Sequence, residues 1–464
     1  MFRKLLIANR GEIALRVART ARELGVRTVG VYSTADNDPR ALRHFDEIVH
    51  IGPAPARRSY QNIPSLIEAA SQTGADAIHP GYGFLSEDPD FAEVCADANL
   101  TFVGPEPDLM ARLGEKSSAR RLMRDAGLPL LPGSVDPLHT VDEAQRAAAA
   151  IDYPVIIKAV AGGGGKGMAV VTAADDLERG YLSARATARA VFGDDRVYLE
   201  RYLDRARHVE VQVLCDSYGH GVHLGTRDCS VQRRHQKLIE EGPAPAPSPA
   251  VVDAMTAASL GAALRVGYTG VGTFEFLVDE DERYYFMEIN TRIQVEHPVT
   301  EAITGVDLIR EQLLVAGGNP LELEQTDVVT RGTAVECRVN AEDPDRGFTP
   351  TAGVLERFDV PGGPFTRIDT HAFAGYALSP HYDSLVAKVV VWAPDREQAL
   401  NRMDRALGEF DIAGRGVSTT IPFLQQVIAD PEFRKATHST ALVERLQESS
   451  AAPPDTDPRN GDPR

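Results

Sequence analysis

Four short apolar runs in the first 113 residues, at 4–8, 27–32, 76–79 and 101–103, are separated by amphipathic stretches such as 13–24. Runs of that length suit buried strands, and the intervening 3.6-residue periodicity suits helices packed on a sheet. The alternation predicts βαβ units and an open parallel α/β domain over 1–113. After the first run the chain reads Ala8-Asn9-Arg10-Gly11-Glu12. The G-x-G-x-x-G fingerprint is missing there, so a dinucleotide is not supported.

From 114 to 330 the pattern changes to strand-like runs at 154–160, 168–171, 197–202, 208–214 and 273–278, which predicts long hairpins, antiparallel sheet and few helices. Beyond 331, runs at 334–340 and 384–392 and a helical stretch at 396–409 predict a smaller α+β domain reaching 447. Residues 448–464 are rich in Pro, Asp and Ser with almost no apolar side chains, and they are expected to form a disordered tail. The run Gly242-Pro-Ala-Pro-Ala-Pro-Ser-Pro249 has the composition of an interdomain linker and equally of an extended surface segment.

The 464 residues carry a net charge of −18, which disfavours nucleic acid and obliges any anionic ligand to meet a local basic cluster. No stretch approaches the ~18 uninterrupted apolar residues of a spanning helix, so nothing points to a membrane. Arg10 and Glu12 interrupt the opening apolar run too early for a signal peptide, and the cytoplasm is the expected compartment. The cysteines, at 95, 215, 229 and 337, have neither CxxC spacing nor a close His, and are expected to be buried reduced thiols.

Three segments can do chemistry. Ala161-Gly162-Gly163-Gly164-Gly165-Lys166-Gly167-Met168 is a glycine loop between two apolar strands, where main-chain N–H groups can approach phosphates closely. It is not a Walker loop, because Gly167 leads into another strand rather than a helix. By itself such a run is more often a mobile hairpin tip than a phosphate site. Lys158 lies just before it and could offset phosphate charge, or be a solvated strand-end lysine.

The densest cluster is Glu288-Ile289-Asn290-Thr291-Arg292-Ile293-Gln294-Val295-Glu296-His297-Pro298. Strand alternation puts Glu288 and Asn290 on one face and Met287 and Ile289 toward the core. A fully extended run to Glu296 would spread its polar groups over about 26 Å, so the chain is expected to bend after Asn290, bringing Glu275 opposite Glu288 across a hairpin. Two carboxylates and an amide oxygen are hard donors of the kind Mg2+ takes. An amphipathic hairpin with its polar face in water would carry the same pattern. The basic segment 227–237 is the local exception in an acidic chain, suited to a small anion.

Taken together, these segments closely resemble biotin carboxylase, a family of ATP-grasp enzymes. The likeness runs from residues 7–14 through His79-Pro80-Gly81-Tyr82-Gly83-Phe84-Leu85-Ser86-Glu87, the glycine loop, 227–237 and 288–298, to Glu336-Cys337-Arg338-Val339-Asn340-Ala341-Glu342-Asp343. It implies a mixed α/β and α+β fold: an N-terminal open parallel α/β domain, an ATP-grasp domain over 114–330 with a glycine-loop lid at about 131–203, and a C-terminal α+β domain. It implies that Lys116, Lys158 and the loop residues Gly163, Gly164, Gly165, Lys166 and Gly167 meet ATP phosphates. Glu200, Arg201 and Leu203 would hold the adenine, with His208, Gln232, His235 and Leu277 nearby. Glu275, Glu288 and Asn290 would bind Mg2+ (or Mn2+).

The same resemblance places bicarbonate among Lys237, Arg292, Gln294 and the main chain of Val295, with Glu296 as its base and Arg338 stabilising the enolate-like oxygen of biotin. The reaction it implies is carboxylation of biotin through carboxyphosphate, the first half-reaction of an acyl-CoA carboxylase such as that of fatty acid biosynthesis. The competing readings are a different ATP-grasp ligase and a regulatory protein that binds ATP without turnover; the second would be expected to have lost Glu296, Lys237 or a metal ligand. No Ala/Val-Met-Lys-Met biotin-attachment pattern occurs, which implies a separate biotin carboxyl carrier protein and carboxyltransferase subunits as partners, and the family implies a homodimer. Three positions depart from the usual pattern: Arg201 where Lys commonly follows Glu, Ala169 where Arg often follows Met, and Gly242 for Ala.

Overall fold

A computed structural model describes residues 1–134, 136–161 and 167–451. The first 113 residues form the expected parallel sheet, in the order Glu47–Gly52, Arg27–Ser33, Lys4–Ile7, Ala77–His79, Thr101–Phe102. The helix Gly11–Glu23 buries Ile13, Ala14, Val17, Ala18 and Ala21, the stripe its sequence periodicity dictates. Strand order reverses between Lys4–Ile7 and Ala77–His79, and in open α/β sheets ligands gather at such a point, beyond the strands' carboxyl ends. Asn9 ties the two loops there together, its Nδ2 donating to the carbonyls of Pro80 (2.7 Å) and Tyr82 (2.8 Å). Gly81 permits this approach: a Cβ there would stand 2.8 Å from Asn9 Nδ2, at a φ of +65°.

An eight-stranded sheet follows, ordered Tyr284–Asn290, Gly270–Val278, Arg207–Cys215, Gly221–Arg233, Gln236–Gly242, Thr333–Asn340, Leu385–Ala393, Thr366–Thr370. Its neighbours are antiparallel throughout. The sheet continues across the division expected at 330/331, because Gln236–Gly242 pairs with Thr333–Asn340. Side chains on both sides of that division therefore face one surface.

The segment expected to form a lid is a separate antiparallel sheet, Met168–Val171, Val155–Ala159, Val197–Arg201, backed by the helices Val141–Ile151 and Leu177–Phe192. Gly163, Gly164, Gly165 and Lys166 lie outside the described residues. The expectation of few helices over 114–330 is corrected by these two and by Lys116–Asp125, Pro249–Val266, His297–Thr304 and Leu308–Ala316. Several bury alanines (Ala144, Ala148, Ala184, Ala188, Ala262, Ala263), whose small side chains give weak contrast in a hydropathy pattern.

The segment 242–249 is not an interdomain linker. It joins a strand of the large sheet to the helix Pro249–Val266 and is largely sheltered. Gly242 lies against the helix His297–Thr304: a Cβ would stand 2.7 Å from Val299 and 3.2 Å from Ile303, so glycine lets that helix sit closer. The last helix, Leu442–Ala451, runs into the segment expected to be disordered from 448, because Leu442, Val443 and Leu446 anchor it in the core. Residues 452–464 lie outside the described residues. All four cysteines are free and buried. No described helix is long and apolar enough to cross a membrane.

Candidate active site

A cleft of about 670 Å³ opens between the switch point of the parallel sheet, the lid and the face of the large sheet. Into it project Lys116, Lys158, Glu200, Arg201, Leu203, His208, Gln232, His235, Lys237, Glu275, Leu277, Glu288, Asn290, Arg292, Gln294, Val295 and Arg338. Residues scattered over more than 220 positions thus meet in one site. Gly167 is buried just before the strand Met168–Val171, with φ +72°, rather than on the cleft wall.

The hairpin pairs Glu275 with Glu288, and the strand ends at Asn290, where the bend was expected. One detail differs. A bulge between the pairs Glu275/Glu288 and Phe276/Phe286 leaves Met287 as the extra residue, and it lines the cleft instead of the core. Met287 joins Leu131, Ile156, Leu203 and Leu277 in an apolar slot beside Glu200, of the kind a planar base would occupy. Glu200 is buried and held by Lys158 Nζ and by Arg120 (2.7 Å). Burial opposes its charge, yet Lys158 and Arg120 outweigh it and hold its pKa below the usual carboxylate range.

Lys237 is the centre of the polar end. Its Nζ reaches Glu210 at 2.6 Å, Glu275 at 2.9 Å and Glu296 at 2.6 Å. Burial disfavours the ammonium, but these carboxylates hold its pKa well above normal, so it stays charged. Glu296 is wholly buried and bridges Lys237 to Arg338, which donates to its other oxygen at 2.8 Å. Burial would raise its pKa; Lys237, Arg338 and Arg227 overcome that and hold it well below the ordinary value. Glu275 is depressed in the same way by Lys237 and His208, the latter 3.1 Å away.

Arg338 also binds Glu240, which burial pushes up to about 7 despite that arginine. Arg292 spans Glu87 (2.9 Å), Asn290 Oδ1 (3.0 Å) and Gln294 Oε1 (3.2 Å), so its guanidinium is fixed before any ligand arrives.

The basic segment 227–237 does not form one patch. Arg227 is wholly buried, bound to Glu210 (2.5 Å), Gln212 and Thr300, while Arg233 and Arg234 turn toward a neighbouring cleft. Strand alternation and the tight turn between Arg233 and Gln236 divide the charges, leaving Lys237 and His235 in the site. Several partners escaped the sequence reading: Glu210, Glu240, Arg120 and Lys388. For Glu210 and Lys388 the signal was a charged residue set among the apolar residues of a strand, as in His208-Val-Glu210-Val-Gln212-Val and Leu385-Val-Ala-Lys388-Val-Val-Val; Arg120, on the polar helix Lys116–Asp125, and Glu240, beside Glu241, carried no such signal. A buried charge must be paired, so each such residue announces a partner without naming it.

The chain matches three family models in order: biotin carboxylase, N-terminal domain, over 1–110; carbamoyl-phosphate synthase L chain, ATP binding domain, over 115–324; and biotin carboxylase C-terminal domain, over 336–445. It is 49% identical over 445 residues to the biotin carboxylase of Nostoc sp., covering 96% of this chain and 99% of that one. It is 47% identical over 448 residues to a pyruvate carboxylase subunit of Methanothermobacter thermautotrophicus, covering 96% and 90%. Its fold superposes with a TM-score of 0.93 on the biotin carboxylase domain of the Hydrogenobacter thermophilus 2-oxoglutarate carboxylase. That domain is 43% identical, with 98% of this chain and 99% of that one covered, and was solved as a dimer with MgADP, ADP and bicarbonate.

Proposed function

The chain belongs to the biotin carboxylase family, and from that premise we propose how its own residues divide the ATP- and bicarbonate-dependent carboxylation of biotin, the reaction of an ATP-dependent carbon–nitrogen ligase. The observation that carries the assignment of roles is the Lys237–Glu296–Arg338 chain at the polar end of the cleft, beside the preset Arg292. ATP enters the apolar slot with its base beside Glu200, Arg201 and Leu203, and its phosphates run toward Lys158, Lys116 and the lid. Lys116 stands 3.4 Å from Glu288, so the cation and the acidic hairpin already face each other where a phosphate chain would pass.

Glu275, Glu288 and Asn290 are hard oxygen donors on adjacent strands and fit Mg2+ by chemistry and placement. Bound there, Mg2+ would neutralise charge on the transferring phosphoryl group.

Bicarbonate sits between Lys237, Arg292, Gln294 and the Val295 main chain. Glu296, held ionised, takes its proton. A carboxylate stabilised by Lys237, Arg338 and Arg227 is a weak base in isolation, but bicarbonate beside Lys237 and Arg292 is itself made more acidic. The resulting dianion attacks the γ-phosphorus of ATP, the bond to the β–γ bridging oxygen breaks, and carboxyphosphate and ADP form. Carboxyphosphate divides into CO2 and phosphate, phosphate removes the ureido N–H proton of biotin, and the nitrogen attacks CO2. Arg338 donates to the ureido oxygen as charge builds there. Replacing Arg338 by Ala is expected to lower carboxybiotin formation by about 10²–10³-fold, the usual cost of one oxyanion donor, with KM for MgATP little changed. Radiolabelled bicarbonate counted in carboxybiotin measures it.

Biotin arrives on a separate carrier, and a second cleft of about 1100 Å³, sharing Arg10, His235 and Tyr382 with the first, supplies a route for its tether. A homodimer, carboxyltransferase subunits and a cytoplasmic setting complete the reading; the buried free thiols support the last. An acyl-CoA is the expected final acceptor, with a keto acid the competing one. The test is turnover of the purified chain with MgATP, bicarbonate and free or carrier-borne biotin. Biotin-stimulated ATP hydrolysis with labelled carboxybiotin is expected, and no stimulation by either form of biotin would overturn the reading.

A further inference from the structure

Lys388 is the one lysine of the strand Leu385–Ala393, fully buried among valines, and no reaction step above uses it. A buried ammonium persists only when paired. Its Nζ lies 3.0 Å from Glu12 of the N-terminal domain and 4.0 Å from Asp369, and donates to the main-chain carbonyl of Val295 at 2.8 Å. One residue earlier a second buried side chain does the same: His297 Nδ1 lies 2.7 Å from the carbonyl of Gln294. A carbonyl only accepts, so Nδ1 carries the hydrogen. Burial and the nearby Lys388 and Arg16 hold His297 well below its usual pKa, which keeps the ring neutral in that tautomer.

Two successive carbonyls are thus fixed by side chains that come from outside the 290–296 loop. The consequence is geometric. In a trans peptide the C=O and N–H point in opposite directions, so fixing the Gln294 carbonyl aims the Val295 N–H, and fixing the Val295 carbonyl aims the Glu296 N–H. Among the described residues nothing accepts from the Val295 N–H, and Val295 lines the cleft.

We propose that Lys388 and His297 are positioning residues that clamp the 294–296 main chain from behind and present its N–H groups to bicarbonate. The clamp rests on the bicarbonate-site reading above, which already sets the anion against the Val295 main chain, and extends it by naming the side chains that orient that backbone. It also makes the site depend on all three segments, since Lys388 joins the C-terminal sheet to Glu12 of the first helix and to the 290–296 loop.

The test compares Lys388→Met with Val389→Ala, a neighbour on the same strand whose side chain packs in the C-terminal core, and with Arg292→Ala, which removes a direct anion contact. Lys388→Met is expected to raise KM for bicarbonate about 10- to 100-fold, the worth of a charge-assisted hydrogen bond, with KM for MgATP within about twofold. Val389→Ala should raise neither. If Lys388→Met and Val389→Ala shift both constants alike, Lys388 is merely structural and the clamp is overturned. If Lys388→Met leaves bicarbonate KM unchanged while Arg292→Ala raises it, the clamp fails and the bicarbonate site stands. If Arg292→Ala also leaves it unchanged, the site reading itself fails. Should Lys388→Met not fold, Glu12→Gln, which removes the nearest counter-charge of Lys388, is expected to give the same selective rise in smaller measure; equal KM values for bicarbonate in wild type and Glu12→Gln would overturn the clamp.

Discussion

Glu296→Gln is expected to lower carboxybiotin formation by about 10²–10⁴-fold, the range of a general base, while leaving the folded protein intact. The substitution keeps volume but only one of the two oxygens, so its amide nitrogen faces either Lys237 or Arg338; each cation nevertheless retains other carboxylates, Glu210 and Glu275 for Lys237 and Glu240 for Arg338. What disappears is the proton acceptor. Binding of MgATP in the apolar slot should persist, because Glu200, Lys158 and Arg120 lie at the other end of the cleft. Rapid-quench measurement of labelled carboxybiotin separates the two. Turnover within tenfold of wild type would remove Glu296 from the chemistry.

The wild-type pH profile carries a matching expectation. Since Lys237, Arg338 and Arg227 together hold Glu296 well below the normal carboxylate range, its protonation does not limit activity anywhere near neutrality. An acid limb must then belong to another group.

The sequence made the residues of this site legible in proportion to how closely they cluster along the chain. Glu288, Asn290, Arg292, Gln294 and Glu296 alternate within nine residues, and strand geometry alone pairs the first with Glu275. Their partners were harder to see. Glu210, Glu240 and Lys388 reach the site only because strands far apart in sequence lie side by side in one sheet, and such pairing follows from non-local hydrogen bonding rather than local pattern. The same cause hid the continuity of that sheet beyond residue 330: nothing local in Thr333–Asn340 says that it pairs with Gln236–Gly242. The parallel sheet was readable because each βαβ unit is local and its periodicity strong. The alanine-rich helices were not, their buried faces being barely more apolar than the rest. Met287 was placed on the wrong side because a single bulge shifts the alternation, and a bulge leaves no mark in residue type.

Lys237→Met is expected to destabilise the protein by about 3–5 kcal/mol near neutral pH, because it strips the shared cation from carboxylates that stay buried. Glu210 and Glu296 are fully buried and Glu275 nearly so, and each loses an ion pair of 2.6–2.9 Å; Arg227 and Arg338 compensate only part of the remaining charge. The penalty should depend on pH in a defined sense. In the wild type Glu275 and Glu296 are held well below the pKa of about 4.3 they would have in the unfolded chain, so their stabilisation is complete above that value and is lost as pH falls. Without Lys237, burial dominates and raises these pKa values above the unfolded ones. A carboxyl shifted in that direction contributes fully below about 4.3, and its contribution is lost as pH rises through the raised value. The two stabilities therefore approach each other in acid and separate toward neutrality. Urea unfolding of both proteins at pH 5 and pH 8 tests this: the difference should be largest at pH 8. A difference independent of pH, or below about 1 kcal/mol at pH 8, would mean that Lys237 is not the ion that keeps these carboxylates charged, and the polar end of the cleft would need another source of positive potential to draw in bicarbonate.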